Sequence, residues 1–344
     1  MTLFMSEKRR PIFQPNELSN ATVVSMRTRI ITALVAIAIV LPAVIFGDWV
    51  LFGVISLACG FGVIEIIRCA KMKYSKALYI IGFVLALLIL YWPFFRSIPL
   101  PDGWRIFDSY NSIYVSATIL FAGIGLSAIT VIADKNFTII DACFIFTTVF
   151  LIAFGFQCAL FLRYYPIAHT YPLAENIRPD TYFSGYINAE SCLLVLFVAV
   201  GACLNDAFAY FVGVFFGRNK MNERLSPKKT WEGFFGGVFL TAIALVAMAL
   251  ILSFCKHPVL AGLIDHEHWY HIVVLAFIIP LVSTGGDLFF SAIKRHYGIK
   301  DFSNLMPGHG GILDRCDSIL FAAITVAVYV CIFAPEAIGG IHLP

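Results

Sequence analysis

The sequence predicts an all-α polytopic membrane protein of about nine transmembrane helices, with a cytoplasmic N-terminus and an external C-terminus. Three observations carry that expectation. Of the 344 residues, 60% are hydrophobic and 13% charged, whereas an ordinary soluble domain is about 45–50% apolar and about 25% charged. The apolar residues gather in runs near the roughly 20 residues a helix needs to cross a hydrocarbon core about 30 Å thick. Lys and Arg are concentrated in alternate segments between those runs. A soluble chain of this length could not bury such an excess.

Nine runs follow in order: 30–47, 49–67, 77–95, 113–133, 137–162, 188–216, 233–254, 270–293 and 316–334. None shows the ten-residue alternation of an outer-membrane barrel. With the N-terminus inside, nineteen of the 24 Lys and Arg fall on the cytoplasmic side. Only Arg96, Arg105, Arg163, Arg178 and Lys256 fall outside. Cytoplasmic loops carry such an excess of positive charge. Residues 1–26 read as a flexible cytoplasmic tail, 27–199 as an N-terminal set of spans and 335–344 as a short external tail. Residues 200–334 bear two polar cytoplasmic loops, 217–232 and 294–315.

The formal charge of +3 is too small to suggest a nucleic-acid partner. The nine cysteines are scattered, odd in number and without a CxxC pair, which suits free buried thiols. Trp49, Trp92, Trp231 and Trp269 stand at span ends as interfacial anchors, and Pro42 and Pro280 are tolerable kinks. Glu65, near Arg68, reads as a snorkelling or ion-paired carboxylate. Asp141 and Glu190 lie where the interface hydrates them. His266, His268 and His271, with Asp265 and Glu267, read as a solvated outer loop.

The chemistry concentrates in the two polar loops. In the first, Ser226-Pro227 has the form of a helix start, with Ser as N-cap and Pro at the first helical position. Lys228, Lys229 and Thr230 would then occupy the first turn, where an anionic ligand could dock on backbone N–H groups and lysines together. A loop that only fixes topology is the alternative. The second loop holds Lys294-Arg295, Lys300-Asp301, Pro307-Gly-His309-Gly310-Gly311 and Asp314-Arg315-Cys316-Asp317. Its glycines allow close backbone approach to a ligand.

Asp206 and Asp287 fall within or at the cytoplasmic ends of apolar runs. A carboxylate at bilayer depth costs about 2.5–3.5 kcal/mol on insertion scales, which marks a functional site. Asp287, Ser291 and Lys294 share a helix face, as do Asp314 and Asp317. Carboxylates beside basic loops suit a hard cation such as Mg²⁺, which shares its shell with substrate phosphates; structural ion pairs are the alternative. An ion-coupled transporter would instead spread its polar residues through the bilayer depth.

Ser291-Ala-Ile-Lys-Arg295, Lys300-Asp301 and Pro307-Gly-His-Gly-Gly-Ile-Leu-Asp-Arg-Cys-Asp317 closely resemble the signature of the phosphatidate cytidylyltransferases. Asn205-Asp206-Ala-Phe-Ala-Tyr210 and Ser226-Pro-Lys-Lys-Thr-Trp-Glu-Gly233 resemble that family's other characteristic stretch. Met306 and Cys316 depart from the pattern by apolar swaps of moderate size.

The resemblance implies transfer of CMP from CTP to phosphatidate at the cytoplasmic membrane face. The products would be CDP-diacylglycerol and pyrophosphate. The same transfer onto another membrane lipid phosphate is the closest alternative. Asp206, Lys229, Asp287 and Asp314 would be catalytic, with Asp287, Asp314 and Asp206 holding Mg²⁺ and a second cation left open. Ser226, Lys228, Thr230, Ser291, Lys294, Arg295, Lys300, Asp301, His309, Gly310, Gly311, Arg315 and Asp317 would bind substrate. A homodimer is implied, although no GxxxG-type face marks an interface. Leu281-Val-Ser-Thr-Gly-Gly-Asp287 looks bacterial and favours a bacterial inner membrane.

Overall fold

The computed structural model describes residues 20–69, 76–95, 123–125, 138–170, 189–222, 224–308 and 310–333. Eight long helices are present there: α1 (Asn20–Phe46), α2 (Asp48–Cys69), α3 (Lys76–Phe95), α4 (Ile139–Thr170), α5 (Ala189–Phe216), α6 (Trp231–Phe254), α7 (Trp269–His296) and α8 (Leu313–Phe333). A short antiparallel hairpin, β1 (Lys220–Asn222) and β2 (Ser226–Thr230), joins α5 to α6. Six helices are long and apolar enough to cross a membrane, while Ile31–Phe46 and Leu78–Tyr91 are shorter apolar stretches. The architecture is therefore an all-α membrane bundle. The fourth expected run, 113–133, lies outside the described residues except for 123–125. So do both tails, apart from residues 20–26, together with the side chains of Trp49, Trp92 and Glu190.

Two apolar clusters hold the bundle together. One ties α1–α4 to α7 and α8 through residues such as Val63, Ile152, Phe290 and Leu313. The other ties α4–α8 through Phe197, Leu245, Leu275 and Val326. Many large apolar side chains on the outer surface are exposed, including Ile37, Leu57, Phe239 and Ile251. That is the expected pattern where lipid, rather than water, covers the outer face. Trp231 and Trp269 begin α6 and α7 and are exposed, as interfacial anchors would be. All nine cysteines are free.

Close packing of α5 on α6 depends on missing side chains. A Cβ at Gly237 would come within 2.8 Å of Ala209 Cβ, and one at Gly233 within 3.1 Å of Gly213 Cα. Gly217 packs likewise against Thr230. Gly213-x-x-x-Gly217 and Gly233-x-x-x-Gly237 are thus two small-residue motifs facing each other within one chain. The motif escaped the sequence reading, and the structure uses it internally.

The helix ends sort into two groups. At one end, Arg163 of α4 is buried and donates from Nε to Val44 O at 2.6 Å and from Nη2 to Ile45 O, capping the carbonyls that end α1. The loop after α6 is at that end of its own helix, and three histidines there have protein partners: His266 with Ser253, His268 with Asp265 and, in the first turn of α7, His271 with Tyr329. At the other end lie the C-termini of α2, α5 and α7, the N-termini of α4, α6 and α8, and both polar loops. Thr138 and Asp141 cap α4 reciprocally. Tyr297, following α7, packs on Phe144 near the start of α4.

Candidate functional site

The first polar loop is a hairpin and not a helix start. Ser226 and Pro227 lie in β2, paired with β1 through Asn222–Ser226 and Lys220–Thr230. The expected N-cap at Ser226 moves four residues on, to Thr230. Its φ and ψ of −121° and 153° are extended, and its Oγ1 accepts the Gly233 N–H at 3.1 Å. The sequence allowed either start, since Pro227 also suits a short edge strand that needs no N–H. What decides it is Glu232. Its carboxylate accepts the N–H groups of Arg218 and Asn219 and the Asn219 side-chain amide, closing the base of the hairpin. Thr230 is consequently buried as a cap, and Lys228 and Lys229 sit on a strand.

The hairpin lies against the end of α7. Arg295 donates from Nε to Leu225 O at 3.2 Å and from Nη1 to Ile299 O at 3.0 Å. Lys229 Nζ stands 2.6 Å from Asp287 Oδ2, and Ser291 Oγ donates to the other Asp287 oxygen at 3.1 Å. Gly286 explains why α8 comes so close here. A Cβ on it would meet Asp317 O at 2.6 Å.

The close approach brings Asp287 and Asp317 within electrostatic reach of each other and of Asp206 on α5. Ser318 Oγ is 3.4 Å from Asp206 Oδ2, and the charges of Lys229 and Arg315 also act on Asp206. Asp206 is exposed, Asp287 half-buried and Asp317 buried.

A second group supports the glycine-rich turn. α7 runs to His296 and α8 starts at Leu313, so the loop spans 297–312 and not 294–315. Lys294 and Asp314 form a buried pair at 2.7 Å. The other Asp314 oxygen accepts the N–H groups of Phe302 and Gly311, each at 2.9 Å. Asp314 is thus engaged by the loop and does not stand beside Lys229. Met306 and Gly310 exchange backbone bonds at 2.9 and 3.1 Å, which closes the turn. Gly308 and Gly310 have φ of 80° and 84°, values that favour glycine. Lys300 and Asp301 are exposed, and His309 lies outside the described residues.

Glu65 is the residue the sequence reading misjudged. It neither snorkels nor pairs with Arg68. It is buried and accepts Ser303 Oγ at 2.6 Å, Ile312 N at 3.0 Å and Leu313 N at 2.9 Å. Its signal was an acid in an apolar run, but its partners are 238 to 248 residues away in sequence.

The chemistry of the donor set suits a hard cation. Asp206, Asp287 and Asp317 offer only oxygens, and an ammonium already stands against Asp287. Among the described residues, no three His, Cys, Asp or Glu side chains form a ready-made cage. Mg²⁺ does not need one, because it commonly takes one or two carboxylates and fills its shell with water and phosphate oxygens.

Fold and site together define a multi-pass helical membrane protein whose carboxylates and cations converge at one end of the bundle. Residues 27–333 match the model of the cytidylyltransferase family, and the chain belongs to that family. It is 31% identical over 299 residues to the phosphatidate cytidylyltransferase of Bacillus subtilis (strain 168), covering 87% of this chain and 95% of that protein. Relatives with the same name from Staphylococcus epidermidis and Staphylococcus aureus (strain COL) are 28% and 27% identical over 296 residues. Each alignment covers 86% of this chain and 95% of the relative.

Proposed function

We propose that the protein is a phosphatidate cytidylyltransferase, acting on CTP and phosphatidate within the membrane. The observation that carries this is the meeting of Asp206, Asp287 and Asp317 with Lys229 and Arg315, in a chain of the cytidylyltransferase family. The lipid phosphate is a monoester with a second pKa of about 6, so near neutral pH it is mostly a dianion and already a nucleophile. No side-chain nucleophile is required. One of its oxygens bonds to the α-phosphorus of CTP as the bond to the β-phosphate oxygen breaks, and the electron pair leaves on pyrophosphate.

The protein's task is to bring two anions together and neutralise the charge on the leaving group. Lys229, Lys228 and Arg315 do this from the hairpin and the start of α8. Ser226 lies on the same strand as the two lysines. Ser291 orients Asp287, and Arg295 holds the hairpin in place. Asp287 and Asp206, with Asp317 beside them, would hold Mg²⁺. The cation supplies Lewis-acid stabilisation of the phosphoryl oxygens when bound. Lys294, Asp314, Gly310 and Gly311 serve by shaping the turn, and Thr230 by capping α6 beside the lysines. Lys300 and Asp301 face the aqueous side of the same loop.

The nine-span reading, with the site at the cytoplasmic face of a bacterial inner membrane, is supported by the positive-charge bias and by the bacterial relatives. α3 runs antiparallel to α2, and α4 starts near Tyr297. The C-terminus of α3 and the N-terminus of α4 are thereby at opposite ends, as the fourth span requires. A homodimer completes the proposal. The test is pyrophosphate release by purified protein in micelles containing phosphatidate. Release is expected only with CTP, lipid and Mg²⁺ together; release without lipid would overturn the reading.

A further inference from the structure

We propose that Glu65, on α2, is a positioning residue for the reaction: it sets the first turn of α8 and so the placement of Arg315, Asp317 and Ser318. The inference rests on the proposed function for its catalytic consequence, but its structural basis stands apart. Glu65 is only 4% exposed. A buried carboxylate is costly unless its oxygens are hydrogen-bonded, and both of these are. One oxygen accepts Ser303 Oγ and Ile312 N, and the other accepts Leu313 N.

The positive end of the α8 dipole meets this charge, which is the usual seat of a bound anion. The protein fills that seat itself. Incoming phosphates must then be met by the Lys and Arg side chains and not by these N–H groups.

Gly311 fits the same account. A Cβ there would collide with the Glu65 carboxylate and come within 2.6 Å of its Cδ. Three residues on, Asp314 takes the Gly311 N–H. The turn is therefore clamped from two sides, by Glu65 from α2 and by Asp314 with Lys294 of α7. The carboxylate cluster lies one turn further along α8. A shift of the first turn is passed along the helix to Asp317, whose carbonyl packs against Gly286 of α7 next to Asp287.

The test compares Glu65→Gln, Ser303→Ala and wild type in detergent, by steady-state kinetics, thermal stability and hydrogen exchange of the 303–318 segment. Glu65→Gln keeps the size but sets an amide N–H against a backbone N–H. A fall in kcat of about 10–100-fold is expected, with KM for CTP little changed and faster exchange at Ile312 and Leu313. Ser303→Ala should fold normally and lower kcat about twofold to tenfold, as loss of one modest hydrogen bond would.

The activity of the double variant Gly311→Ala with Glu65→Asp should exceed the value expected from multiplying the two single-variant activities by about fivefold, since the shorter acid retreats from the added methyl. Wild-type kcat and exchange in both Glu65→Gln and Ser303→Ala would overturn the proposal. So would lost stability with unchanged kcat per folded molecule. If wild type releases no pyrophosphate, the proposed function fails, and the exchange data still decide whether Glu65 clamps α8.

Discussion

Lys229 Nζ and Asp287 Oδ2 lie 2.6 Å apart, joining the hairpin after α5 to the C-terminal half of α7. Both side chains are about a quarter exposed, at 27% and 26%. Pairs of that exposure add little to stability. The contact instead places an ammonium group beside the carboxylate cluster.

Replacing Lys229 with Met should leave the protein inserted and folded while lowering kcat by about 10²–10³-fold, the usual loss for one donor that stabilises transition-state charge. Asp287→Asn should abolish measurable turnover. Steady-state assays on protein matched for thermal stability check both. Retained activity in Asp287→Asn would remove that residue from the proposed cation site.

The buried pair Lys294–Asp314 should behave differently. Its side chains are 9% and 4% exposed, so loss of one partner leaves a charge stranded. Lys294→Met is expected to destabilise by about 3–5 kcal/mol, read as a loss of folded protein in a thermal-shift or denaturant series. Lys229→Met would show no such loss.

Much of the fold was legible because hydropathy reports it directly. The runs at 188–216 and 233–254 became α5 and α6 with ends shifted by two residues or fewer. Asp206 and Asp287 stood out as acids within or beside apolar spans. What was not legible depended on partners distant in sequence. Ser226-Pro227 is locally a helix start, and only Glu232 reaching back to Arg218 and Asn219 makes it a strand. Glu65 looked like an interfacial acid because Ile312 and Leu313 are far away in the chain. Asp314 and Asp317 are three residues apart and cannot be separated by pattern, yet one serves the loop and the other faces Asp287.

Packing of α5 on α6 should be intolerant of bulk. Gly237→Leu is expected to prevent accumulation of folded protein, since its neighbours are the backbone and Cβ of Ala209. Thr230→Val should cost about 1 kcal/mol through loss of the α6 cap. Expression with thermal shift in detergent separates the two.

On the opposite side of the protein, burial alone would raise the Asp265 carboxyl. The His268 side chain and N–H and the Gly262 N–H outweigh it and hold Asp265 below its ordinary value. A lowered acid contributes stability above its unfolded pKa of about 3.9, and that contribution is lost as pH falls through the folded value. Asp265→Asn should flatten the thermal-stability profile below about pH 4 and leave neutral-pH turnover unchanged.

The central claim is transfer of the CMP unit to a membrane lipid. CTP labelled at the α-phosphate, incubated with protein, phosphatidate and Mg²⁺, should pass its label into the organic-extractable lipid. CTP labelled at the γ-phosphate should yield only water-soluble pyrophosphate. Label from the γ-position appearing in lipid, or α-label remaining in water-soluble nucleotide while pyrophosphate accumulates, would contradict the account.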